Sequence, residues 1–324
     1  MRYALLIGFV YSSLSIIISF MLFGGKSGLI SVVLTSLLIL PMLEKLMMKE
    51  ERKEEKEKKF SFKRLFLDNK KVATTYLLLF LSIFFTYALA VFVFNIFNAS
   101  IVQTFHGQLL LDFAKGGATF MFKDFWTILI NNWWVLLTIF VVSLFFKDGG
   151  IFFITWNASS WGVILSYRAI TSANFVGGNS VKLFLIVLAL SAPFLLIEAL
   201  AYILAAISGN IISKDVVKKS KYVKHFTLYS VVGLVIYFAL FKLLNLLNLT
   251  ISVNIVLQLI VVLGILRLLS HTFKERKYKE VFVFNYYLFI VAVVFFVVGA
   301  LIELAITQNV PILTKIYATS LLMG

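Results

Sequence analysis

The chain has 324 residues, 61% of them hydrophobic and 14% charged, and its 30 Lys and Arg against 15 Asp and Glu give a formal charge of +15. Soluble domains carry roughly 25% charged residues, whereas here apolar runs of about 20 residues recur and mean hydropathy reaches +0.99, which excludes a water-soluble globular fold. The sequence contains no Cys, so disulfides, thiolate metal sites and thiol nucleophiles are excluded too.

The apolar runs predict nine membrane-spanning helices: 3–23, 28–46, 72–94, 125–146, 150–172, 181–213, 226–246, 252–270 and 281–305. The first follows Met1-Arg2 directly, but Phe23-Gly24-Gly25-Lys26 is a poor cleavage site and a second span follows at once, so the segment is expected to be retained. Gly8, Ser12, Ser15 and Ser19 place small residues on one of its faces, a packing seam. Beyond the second span, 44–59 is rich in Glu and Lys and reads as a solvated helical extension. It holds a repulsive Glu51–Glu55 pair and an attractive Glu54–Lys58 pair at i,i+4. After the third span, Phe105, Leu109, Phe113 and Phe120 in 95–124 predict an interfacial or re-entrant helix.

Polar residues then enter the spans themselves. Asn131-Asn132 stand beside Trp133-Trp134 in the fourth, where indoles suit the membrane interface and the amides can cross-link helices. The fifth carries Thr155, Ser159, Gly162, Ser166 and Ala169 in one stripe, with Asn157 close by. The sixth contains Glu198 near the middle of an apolar run interrupted only at Pro193. A carboxylate at that depth costs roughly 2.5 kcal/mol or more and demands a partner, a water-filled cavity or a proton. Ala201, Ala205 and Gly209 follow on one face and let a neighbouring backbone approach, which turns Glu198 toward protein. As one helix the run would extend about 50 Å, longer than the hydrocarbon core of roughly 30 Å. A kink or break at Pro193, with 181–191 as a half-helix, is one solution and protrusion the other. Glu303, near the outer end of the last span, is expected to snorkel to the surface, and Lys242 to reach outward or pair with an acid.

The basic residues set the orientation. With the N-terminus cytoplasmic, inside segments collect 23 of the 30 Lys and Arg and outside segments five; Arg168 and Lys242 lie within spans. The charge is therefore a topology signal and an attraction for anionic headgroups, not a nucleic-acid footprint. The C-terminus falls outside. The sequons at Asn98 and Asn248 also fall outside, and the one at Asn157 is buried in the membrane.

Enzyme signatures are missing. None of the three histidines (His106, His225, His271) lies in His-Glu-x-x-His, and no Gly-x-Ser-x-Gly elbow, Walker A loop or dinucleotide fingerprint occurs. No cofactor is implied, and any energy for transport would come from an ion gradient or a separate ATPase subunit.

Asn131-Asn132, the Gly149-Gly150 turn, Asn157, and Pro193 and Glu198 ahead of the small residues 205–209 together resemble the core of the stage II sporulation protein M family. The resemblance covers about residues 101–213. Asn131, Asn132, Asn157, Pro193, Glu198 and Gly209 match the family pattern. Phe194-Leu195 stand where the family has His-Gly, and Ala158 follows Asn157 where Gly is common. The added hairpin before this core and the three spans after it resemble divergent, archaeal-type members. The resemblance implies a non-enzymatic membrane scaffold, since in sporulating bacteria the family's role resembles scaffolding of cell-wall hydrolases during engulfment.

The expectation is thus an all-α polytopic bundle in the cell membrane, with a hairpin and charged helix at 1–71, a family-like core at 72–213 and a three-span unit at 214–324. Its expected partners are the lipid bilayer and other membrane or envelope proteins. A permease-like transporter of a small or lipidic substrate, with Glu198, Asn157 and Asn131 along its path, is the competing expectation. The Cys-free background makes the orientation directly measurable: a membrane-impermeant thiol reagent should label a Cys placed at Ser100 in intact cells but not one at Lys56, and the reverse pattern would invert the topology.

Overall fold

A computed structural model describes residues 2–24, 27–54, 62–97, 99–109, 125–146, 149–212, 223–246, 251–270 and 276–309. Among them the secondary structure is helical, with no strand: α1 (Arg2–Phe23), α2 (Ser27–Glu54), α3 (Phe62–Ile96), α4 (Ile101–Thr104), α5 (Phe125–Phe145), α6 (Gly150–Val176), α7 (Ser180–Ile211), α8 (Val223–Leu246), α9 (Ile251–Leu269) and α10 (Arg276–Asn309). Each of the nine expected spans coincides with a helix. Seven described stretches are long and apolar enough to cross a membrane: Tyr3–Phe23, Ser27–Lys45, Asn69–Ile96, Phe125–Phe145, Ser180–Ile211, Ser252–Leu269 and Lys279–Asn309. The protein is an integral membrane protein with several spanning helices. α6 is absent from the seven because its polar stripe lowers its hydropathy, and in α8 the described apolar stretch, Leu228–Leu240, is short.

Large apolar side chains lie on the outside of the bundle as well as in its core. Ser12, Ser15 and Ser19 of α1 are buried, while Leu6, Phe9, Leu14, Ile17 and Met21 on the same helix are exposed. Hydrocarbon solvates large apolar side chains as well as the interior does, so close contact between helices is left to small residues. Gly8 of α1 sits on Ser82 of α3, whose Oγ donates to the Leu5 carbonyl at 2.6 Å. Gly162 of α6 lies against the Phe84 carbonyl and Ala88 amide of α3. Thr155, Ser159, Ser166 and Ala169, the rest of that stripe, are buried as a packing seam.

α7 occupies the centre. It packs on α3, α5, α6 and α10, and its contact with α10 is the most extensive in the bundle. Its first half is partly exposed, whereas from Ala201 to Ile211 each side chain is buried, which is why this half is apolar or small all round. The helix begins where Gly177, in the left-handed conformation at φ 67°, ends α6, and the Asn179 side chain caps it by accepting from the Lys182 amide at 2.9 Å.

Several expectations need correcting. α7 runs unbroken through Pro193, about 48 Å at 1.5 Å per residue, so 181–191 is no separate half-helix. Phe105 and Leu109 do not face lipid; both are buried in protein, with Phe105 against Tyr87 and Phe94. The same segment grips the start of α2, where Gln108 Nε2 donates to the Gly28 carbonyl at 2.9 Å. Arg168 is buried and Lys242 is exposed. α2 does extend to Glu54, but Glu55 and Lys58, like Asn98, Phe113, Phe120, Asn248 and His271, lie outside the described residues.

Close approach of backbones carries a testable cost. Gly162→Val drives a Cβ into the Phe84 carbonyl and should destabilise the protein by about 1–3 kcal/mol, lowering its melting temperature in detergent. Gly264→Val, where a Cβ would meet nothing within 4 Å, should leave the melting temperature nearly unchanged.

Candidate functional site

The most polar point of the interior lies where α5, α7 and α10 meet. Asn132 of α5 points its amide at α7, and Nδ2 donates to Glu198 Oε1 at 2.7 Å. Asn131 supports it from the same helix, its Nδ2 donating to Asn132 Oδ1 at 3.4 Å. From the other side α10 brings Glu303 beside Glu198, within interaction range of its carboxyl. Both carboxyls are buried, at 2% and 3% exposure, far too little for either to reach bulk water. Neighbouring acids in such a place depend on the polar groups around them, and Asn132 is the donor the structure supplies.

Sequence builds this junction in two ways. Glycine at 299 leaves room for the acid: a Cβ there would approach Glu198 Cγ to 2.9 Å. Gly299 and Glu303 are one turn apart, so α10 offers the cavity and the second carboxyl on one face. Tyr202, one turn beyond Glu198, is buried within electrostatic range of both acids. Two turns further, Ser208 Oγ donates to the Asn285 carbonyl of α10 at 2.7 Å and fixes the antiparallel register of the two helices.

The remaining site residues read from sequence are scattered. Asn157 is half-buried and donates to the Phe153 carbonyl of its own helix at 2.7 Å. Pro193 is exposed, on a different face of α7 from Glu198. Gly209 lies three turns from Glu198, where it admits the Phe140 carbonyl of α5; a Cβ would come within 2.6 Å of that oxygen. The structure thus brings together Asn131, Asn132 and Glu198, adds Glu303, Gly299 and Tyr202, and leaves Asn157, Pro193 and Gly209 elsewhere. Glu303 was expected to snorkel because it lies near a span end; the pairing with Glu198 holds it inward instead. The Gly-x-x-x-Glu spacing of Gly299 and Glu303 is the signal that could have found it. Among the described residues no group of three or more His, Asp or Glu side chains is placed to hold a metal ion.

Comparison with protein-family models, with curated proteins and with solved structures found no match for this chain. The site rests on its geometry alone.

What this geometry can do chemically is join α5 to α7 through a hydrogen bond that lipid cannot supply, with a second carboxyl from α10 at the same junction. Asn132→Ala leaves Glu198 short of a donor and should cost about 1–3 kcal/mol, read as a lower melting temperature. Combined with Glu198→Ala it should be non-additive by about 0.5–2 kcal/mol; strict additivity would mean that the two side chains act separately.

Proposed function

We propose that this protein is a non-enzymatic scaffold or subunit of a complex in the cell membrane, built on nine spans with the N-terminus cytoplasmic and the C-terminus outside. The observation that carries this reading is the closed polar centre. Asn132 bonds Glu198 between α5 and α7 with Glu303 of α10 beside it, and other polar side chains, Ser82 and Ser208 among them, likewise tie one helix to another. Such a centre fixes the mutual positions of α5, α7 and α10 and so presents a defined surface to neighbouring membrane or envelope proteins. The resemblance of Asn131, Asn132, Asn157, Pro193, Glu198 and Gly209 to the stage II sporulation protein M pattern supports the same role, at the level of family analogy.

One observation favours a second reading, a permease-like transporter of a small or lipidic substrate, working with an ion gradient or a separate ATPase. Glu198 and Glu303 form a neighbouring pair of buried intramembrane carboxyls, and such carboxyls serve as relays in pumps and transporters.

Glu198→Gln separates the two. An amide at this position keeps an acceptor for Asn132 and a donor for Glu303 but cannot release a proton. A scaffold should then retain its captured partners after mild detergent extraction, at wild-type stoichiometry, and lose them in Glu198→Ala. Loss of partners in both variants, or in neither, would overturn the scaffold reading; proton-coupled uptake into proteoliposomes that collapses in Glu198→Gln would establish transport.

A further inference from the structure

α8 and α9 form an antiparallel hairpin at the edge of the bundle, and their mutual contact is close. A Cβ on Gly233 of α8 would come within 2.7 Å of Ile265 Cγ2, and Tyr237 Oη donates to Gln258 Oε1 of α9 at 2.7 Å. Gln258 Nε2 in turn donates to Asn254 Oδ1 at 2.7 Å. Among the described residues, α5 is the one other helix that the hairpin lies along, through α9. Most described side chains of α8 face outward: Ser230 and Tyr237 are buried, while Leu228, Val231, Val235, Ile236 and Phe238 are exposed.

The junction of the hairpin with α5 is unevenly built. At one level it is dense. Trp133 Nε1 donates to Tyr237 Oη at 3.4 Å, and the Trp134 ring stacks on Phe238 with centroids 6.5 Å apart and planes 16° from parallel. Trp134 also meets Tyr237 edge to face at 6.0 Å. Further along α5, over about 12 Å from Leu137 to Phe145, the space facing Ser230 and Gly233 of α8 and Val262 and Leu269 of α9 is an apolar crevice of about 450 Å³, its mouth included. A void forfeits the dispersion contacts of the side chains that line it, and contact of that kind is what holds apolar helices together in lipid.

Attachment to the bundle is therefore concentrated at the two Trp residues of α5 and the Tyr237-Phe238 pair of α8. Elements held by few buried contacts are the ones that open locally at least cost. We propose that the α8–α9 hairpin is a hinged unit, closed against α5 by this aromatic clasp, which swings outward as one body and widens the crevice toward the bilayer. Trp133 and Trp134 directly follow Asn131 and Asn132, so the motion acts on the turn of α5 that also carries the donor to Glu198.

The Cys-free sequence allows spin labels to be placed in pairs on exposed positions. Leu185 of α7 with Ile260 of α9 reports the hairpin against the bundle, Leu228 of α8 with Ile260 reports the hairpin itself, and Leu185 with Leu301 of α10 reports the bundle. Distances are read by pulsed electron paramagnetic resonance on the full chain in lipid nanodiscs. Tyr237→Phe removes the hydroxyl and keeps the ring, and should raise the outward fraction of the Leu185–Ile260 pair about fivefold, the loss of one interhelical hydrogen bond. Tyr237→Phe combined with Trp134→Ala also removes the stacked ring and should make the outward state the major one, with the other two pairs at their wild-type distances. Wild-type Leu185–Ile260 distances in the double variant would overturn the proposal. Lengthening of the Leu228–Ile260 or Leu185–Leu301 distances alongside would overturn it too, because the clasp would then hold the hairpin's own helices or the whole bundle together rather than close a hinge.

Discussion

The burial of two neighbouring carboxyls, Glu198 and Glu303, where α7 meets α10, with Asn132 donating to the first, is the constraint around which the interior of this bundle is arranged. In hydrocarbon a carboxyl cannot turn to water, so each acid is committed to the other and both are committed to the approach of α10 against α7. Gly299 is the steric condition for that approach and Ser208 fixes its register nearly three turns from Glu198. Around the central helix α7, α3 packs at Phe184, α6 at Phe194 and α5 at Gly209.

The same physics governs the rest of the molecule in weaker form. Lipid gives large apolar side chains no reason to leave the surface, so specificity between helices rests on glycine-to-backbone contacts and on Ser, Thr and Asn bonds. The α1–α3 and α3–α6 contacts are of this kind, as is the grip of Gln108 on the start of α2. A residue with a polar side chain inside a span is thus first a packing element. It becomes a candidate for function only where its partners are also ionisable, and among the described residues the carboxyl pair meets that condition.

Much of the architecture was legible in the sequence because hydropathy is local. Apolar runs located nine helices, and small residues at helical spacing identified the seams of α1 and α6. The cost of an intramembrane acid singled out Glu198, and the Asn131-Asn132 pair marked its partner helix. Expectations failed where a side chain's environment depends on a distant segment. Glu303 looked free to snorkel until α7 was placed beside it; Phe105 looked interfacial until α3 covered it; Pro193 looked like a break until the helix proved continuous with the proline on an exposed face. The sequence by itself determined that the chain lives in a membrane and which stretches of it are helices, since both follow from transfer energies of consecutive residues. Only the tertiary structure decided which polar groups meet, because the bond of Asn132 to Glu198 and the approach of Glu303 to both depend on helix placement that no single stretch of sequence contains.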